Sequence, residues 1–102
     1  MTPRKDDAGK VQMRLLPWAA LREVARVMTW AVTAKAPEPY PVGNWKGVAV
    51  ERYEDAAVRH LAAHMEGERD DPESGLSHLA HAAFCVLFLL WQQAREGEPS
   101  HG

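Results

Sequence analysis

The apolar positions of the chain recur at helical spacing in three stretches, separated by a proline-rich break and an acidic loop. Leu21, Val24, Ala25, Met28 and Val32 follow i, i+3, i+4 spacing, with Arg22, Glu23 and Arg26 on other faces, which predicts a first helix over about 17–33 opening at Pro17. Residues 36–48, with three prolines and two glycines, forbid a continuing helix or a central strand, so a long loop is expected there. A second helix is predicted over 50–65, with Tyr53, Ala57, His60 or Leu61, and His64 along one side. A polar, acidic stretch, 66–75, precedes a third helix over about 76–94. Asp71 before Pro72 reads as a helix-start signal, because proline suits the first helical position and a carboxylate caps free N–H groups. No alternating pattern suggests a sheet, and the expected fold class is all-α.

The third helix changes the picture of how such a fold is completed. Leu79, Ala83, Val86, Leu87 and Leu90 are its expected core stripe, while Phe84, Cys85, Phe88, Leu89 and Trp91 carry apolar character around the remaining faces. Three helices give too little wall to cover it, so a bundle completed by a dimer or tetramer is expected. The 102 residues suit one domain over 11–95, with a flexible start (1–10) and a disordered tail (96–102).

Charge and cysteine content narrow the function classes. Twelve basic against 14 acidic residues, a formal net of −2, lack the basic surplus of a nucleic-acid binder. Cys85 stands alone in an apolar run, which reads as a small buried hydrophobe in a reducing cytoplasm. The longest apolar run, 82–91, is too short to span a bilayer, and the N-terminus lacks a secretory pattern. No membrane or nucleic-acid partner is expected.

The candidate chemistry gathers around the acidic loop. His78 and His81, three residues apart, project from one helix face close to Asp71 and Glu73. Glu23, Asp55 and His60 on the first two helices extend the set of candidate ligands. Carboxylates at helical positions are how bundles house divalent ions; oxygen ligands favour Mg²⁺ or Mn²⁺, and imidazoles tilt the choice toward Mn²⁺, Co²⁺ or Zn²⁺. Arg59, His60 and Lys46 are candidate phosphate contacts, Asn44 a hydrogen-bonding group and Trp45 a stacking face or a core plug. Asp55 and Arg59 are also spaced as an ordinary surface ion pair. Without a glycine-rich phosphate loop or a Ser or Cys in nucleophile context, metal-activated water is the nucleophile these residues support.

Four segments, residues 15–27 (Leu-Leu-Pro-Trp-Ala-Ala-Leu-Arg-Glu-Val-Ala-Arg-Val), 44–47 (Asn-Trp-Lys-Gly), 56–61 (Ala-Ala-Val-Arg-His-Leu) and 71–83 (Asp-Pro-Glu-Ser-Gly-Leu-Ser-His-Leu-Ala-His-Ala-Ala), resemble successive motifs of one family. It is that of the phage dATP/dGTP diphosphohydrolases (MazZ-like), relatives of the MazG-like all-α nucleotide pyrophosphatases. The resemblance implies hydrolysis of a purine deoxynucleoside triphosphate, dGTP or dATP, to its monophosphate and pyrophosphate, and in some phages a part in supplying 2-aminoadenine nucleotides. It implies Mg²⁺ or Mn²⁺ held by acidic residues on two helices of a dimer or tetramer, in the host cytoplasm if the chain is phage-encoded. His78 and His81 take the place of the relatives' Glu-x-x-Asp pair, and either Glu23 or Asp55 with Glu54 stands for their second acidic cluster. Glu23 and Asp55 are accordingly expected to be catalytic, with His78, His81, Asp71 and Glu73 as metal ligands. Two departures concern the base-binding end: Arg14 replaces an expected acid, and the Gly and Lys-Tyr that close the first helix are not recognisable around 31–36. The alternatives are a triphosphohydrolase releasing the free nucleoside, and a non-catalytic helical adaptor that uses its apolar third helix.

Overall fold

The computed structural model describes residues 8–96, within which the chain is helical: α1 (Trp18–Thr33), α2 (Val50–Met65) and α3 (His78–Glu96), with short 3₁₀ turns at Met13–Leu15 and Asn44–Gly47. The expected flexible start and tail fall outside the described residues except for 8–10 and Glu96. There is no strand among the described residues, only an isolated antiparallel bridge between Asp70 and Ser77. The all-α expectation is met, and α3 is the central helix, packed against both α1 and α2.

The face that α3 buries differs from the expected core stripe. His78, Ala80, His81, Ala82, Cys85 and Phe88 are buried, whereas Leu79, Val86, Leu87 and Leu90 are exposed. The expected core stripe is thereby corrected: on a helix apolar nearly all round, spacing cannot say which side faces the neighbours, and the aromatic partners decide it. Phe88, 1% exposed, meets Tyr53 of α2 at 4.1 Å between ring centroids and the edge of Trp45 at 5.5 Å. Burying such a ring contributes about 1.5–3 kcal/mol. On α1 the buried positions are Val24 and Val27, and the expected Ala25 is exposed. On α2, His60 rather than Leu61 or His64 turns inward.

The long loop is not free chain. The Tyr40 N–H donates to the Ala31 carbonyl at 2.9 Å, folding the segment back on the end of α1. The 3₁₀ turn then drops Trp45 edge-on against Phe84, Phe88 and Trp91 of α3.

Where the third helix begins is also corrected. Asp71 and Pro72 initiate a tight turn, in which the Asp71 carboxylate accepts the Ser74 N–H at 2.9 Å and its carbonyl accepts the Gly75 N–H at 2.7 Å. Gly75 ends that turn with φ +72°, and the helix starts at His78. Ser77 precedes it, its hydroxyl accepting the Leu79 N–H at 3.1 Å.

Candidate functional site

Two helix ends and the loop between them bring the polar residues together. Helix α2 closes with the Glu68 N–H donating to the Ala63 carbonyl and the Gly67 N–H to that of His64, both at 3.0 Å, with Gly67 in the left-handed region at φ +100°. This paired closure needs a residue tolerant of positive φ, which glycine supplies without penalty. It turns the chain so that Glu68 faces the first turn of α3. The Asp71 and His78 amides then donate, at 2.8 Å each, to the carbonyls of Leu76 and Arg69, pinning the loop beside α3.

At the centre, Nδ1 of His60 on α2 lies 2.9 Å from Nδ1 of His78 on α3. The other nitrogen of His78, Nε2, is 2.6 Å from Glu68 Oε1. His81, one turn further along α3, stacks on His60 with 4.5 Å between centroids and 14° between planes. Its Nε2 pairs with Ser74 Oγ at 2.7 Å and lies 3.9 Å from Asp71 Oδ2, and Trp30 of α1 meets it edge-on at 5.8 Å. His60, Asp71 and His78 each offer one ligand atom within 4.8 Å of the other two.

The electrostatics favour neutral imidazoles beside a charged carboxylate. Burial, reinforced by the neighbouring His81, pushes His60 down to about 4. Burial also lowers His81, against the opposing pull of Asp71. For Asp71, burial alone would raise the carboxyl, but the Ser74 amide and the nearby imidazoles outweigh it and hold it below its ordinary value. Three imidazole rings and an ionised carboxylate in one place form a donor set suited to a divalent cation.

The cluster borders a cleft of about 610 Å³ through His60, Asp71 and His81. Cations line it: Lys35, just after α1, and Arg52 and Arg59 on α2. Lys35 is held between the Trp30 and Tyr40 rings, at 5.1 and 5.5 Å, and is hydrogen-bonded to Glu73; that bond keeps its ammonium above the ordinary lysine value. Asn44, Trp45, Tyr40 and Tyr53 line the cleft further along.

The residues singled out from the sequence are thus divided. His60, His78, His81 and Asp71 come together, and Glu73 reaches the cleft as the partner of Lys35. Glu23 and Asp55, expected as the catalytic acids, do not join them within the chain: Glu23 pairs with Arg26 at 3.2 Å and Asp55 with Arg59 at 3.0 Å, and both carboxylates are exposed and outside the cleft lining, although Arg59 itself reaches it. Glu54 is exposed on the same helix as Asp55. Of the expected substrate contacts, Asn44, Trp45 and Arg59 line the cleft. Lys46 is exposed, outside that lining, and sits over the Trp45 ring at 5.5 Å.

Sequence reasoning passed over Glu68, Ser74, Lys35, Tyr40 and Arg52. Glu68 and Ser74 sit in the loop already marked as chemical, and their proximity to His78 in sequence was a usable signal. Lys35 and Tyr40 carried none, because their approach depends on the loop folding back onto α1.

The fold and the cluster define a small all-α domain with an imidazole–carboxylate centre in a cleft flanked by cations and aromatic rings. The model of the family described as "dATP/dGTP diphosphohydrolase, N-terminal" matches residues 1–100, and the chain belongs to that family. A dATP/dGTP diphosphohydrolase of Salmonella phage PMBT28 is 37% identical over 91 residues, which cover 89% of this chain and 30% of the phage protein. The chain therefore spans about a third of the length of the curated relative it matches. No solved structure matches.

Proposed function

We propose that this domain hydrolyses a purine deoxynucleoside triphosphate, dGTP and as a second substrate dATP, to the monophosphate and pyrophosphate. The observation that carries this reading is the imidazole–carboxylate centre bordering a cleft lined by cations. A cleft of about 610 Å³ is the size of a small-molecule site. Lys35, Arg52 and Arg59 supply positive charge for a polyphosphate, and the Tyr40, Trp45 and Tyr53 rings offer apolar surface for a base. The family and the name of the phage relative agree with that substrate class. Acting on dGTP, the domain would furnish dGMP, the precursor of a 2-aminoadenine nucleotide.

The donor set fits a divalent cation, with His60, Asp71 and His78 as the residues that would hold it. An ion held there would supply charge neutralisation for the phosphates and an activated water as nucleophile at neutral pH. Within the chain itself, Lys35 and the two arginines orient the phosphates, and the stack of His81 on His60 keeps that ring facing the centre. This narrows the candidate ligands to His60, Asp71 and His78, while Glu73 is engaged by Lys35 and His81 by Ser74.

The same reading includes self-association. Leu79, Val86 and Leu90 on α3, and Val58, Leu61 and Met65 on α2, make two exposed apolar stripes at helix-packing spacing. We assign them to a second copy of the chain.

Incubation of the protein with each dNTP and Mn²⁺ tests the activity. Monophosphate and pyrophosphate from the purine substrates are expected, with a fall of at least about 100-fold in His60→Ala and Asp71→Asn. Free nucleoside with triphosphate would instead make the domain a triphosphohydrolase, and stepwise orthophosphate release would overturn both readings.

A further inference from the structure

The ring nitrogens of the cluster are not interchangeable, and Glu68 is the reason. A carboxylate accepts hydrogen bonds and does not donate when ionised, so the 2.6 Å contact from Glu68 Oε1 to His78 Nε2 requires the proton of that ring to sit on Nε2. A neutral His78 then presents a lone pair at Nδ1. That lone pair faces His60 Nδ1 at 2.9 Å, a distance at which it can accept a proton from that ring or share an ion with it. The paired closure of α2 at Gly67 delivers the Glu68 carboxylate to this place, and more than half of that side chain remains exposed. Packing alone gives it no reason to be there.

We propose that Glu68 is a positioning residue that locks His78 in the tautomer needed to bind an ion, and that His78, His60 and Asp71 form a nitrogen-rich site selecting Zn²⁺, Co²⁺ or Mn²⁺ over Mg²⁺. The inference rests on the reading that the cluster holds a divalent cation, but not on the hydrolysis of any nucleotide. Two nitrogens sharing one ion with bonds of about 2.1 Å lie at most about 4.2 Å apart. The two ring nitrogens, at 2.9 Å, meet that bound. Two imidazoles and one carboxylate suit borderline ions, whereas Mg²⁺ demands oxygen ligands and gives up its waters reluctantly. The arrangement carboxylate–imidazole–ion is the common way in which a second layer of groups orients a metal-binding histidine, and its loss lowers metal affinity about 10- to 100-fold. His81 lies outside the set, because its Nε2 is committed to Ser74.

The test uses the whole chain after treatment with chelator, with Co²⁺, Zn²⁺ and Mg²⁺ as probes. One equivalent of Co²⁺ should bind, seen by its visible absorption and by calorimetry, and be displaced by Zn²⁺ but not by millimolar Mg²⁺. Glu68→Gln should weaken Co²⁺ binding about 10- to 100-fold. The Tm of the ion-free protein should stay the same, and the ¹⁵N resonances of His78 should report a mixture of tautomers in place of Nε2–H alone. Equal Co²⁺ affinity in Glu68→Gln and the parent overturns the role of Glu68. Displacement by Mg²⁺, or no Co²⁺ uptake, overturns the site. Hydrolysis of dNTPs supported by Mg²⁺ without Co²⁺ uptake would leave the proposed activity standing and this inference refuted. Co²⁺ uptake that depends on Glu68 in a chain that hydrolyses no dNTP would do the reverse.

Discussion

His60 shows how far a single side chain is governed by its surroundings. In sequence it is one more histidine on an amphipathic helix, beside Arg59, a candidate for a phosphate contact or a metal ligand alike. In the fold it lies under the His81 ring and against His78, where a proton is unwelcome. An imidazole harder to protonate in the folded than in the unfolded chain makes stability fall as pH drops. With an ordinary value of 6.5 and about 4 in the fold, nothing is lost above 6.5, and the loss accrues down to about 4. Asp71, held below its ordinary 3.8, keeps its contribution above that value and gives it up only at lower pH. In ion-free protein, calorimetry should therefore find Tm flat from pH 7 to 8 and declining below about pH 6.5. His60→Gln should decline less steeply between pH 6.5 and 4, and an unchanged slope would refute this account of the site.

At the scale of elements, the joint between α2 and the loop sets Glu68 against His78 at the start of α3. Gly67 sits at φ +100° with open space where a Cβ would be, so a side chain there meets no clash and pays only the backbone cost of the left-handed region. Gly67→Ala should lower stability by about 1–2 kcal/mol in urea unfolding. Because Glu68 is the next residue, the same substitution should also weaken Co²⁺ uptake, while Gly67→Asn, better tolerated at positive φ, should be milder in both. A stability loss without any change in uptake would mean that the joint and the site are independent. The helices themselves were legible beforehand: α2 runs over the residues its pattern marks, and α1 within a residue of them. The start of α3 was not. Asp-Pro carries the same signal for a tight turn as for a helix N-terminus, and the hydrogen bonds that decide between them, from Asp71 to Leu76 and from His78 to Arg69, are made across the loop.

For the whole molecule, the six buried apolar side chains among the described residues, Val24, Val27, Ala80, Ala82, Cys85 and Phe88, make a small core, while Leu79, Leu87 and Leu90 of α3 face outward. Cys85 belongs to that core, its thiol pushed up to about 11 by burial and so inert at neutral pH. Exposed stripes on adjacent helices are the expected price of a bundle finished by a partner. Sedimentation should show a dimer or tetramer, and Val86→Glu with Leu90→Glu should give monomers with helical circular dichroism intact. A monomeric parent protein would refute the assembly.

The sequence by itself determined the fold class, the extents of α1 and α2, and the loop between α2 and α3, because helical periodicity and turn residues act over a few neighbouring positions. It also marked His78, His81 and Asp71, which lie close along the chain. Tertiary structure alone decided that His60 meets His78, that Lys35 and Tyr40 flank the cleft, and that Glu23 and Asp55 stay with their own arginines. It also chose which side of α3 is buried, since a helix apolar on most faces is oriented by the aromatic rings packed on it.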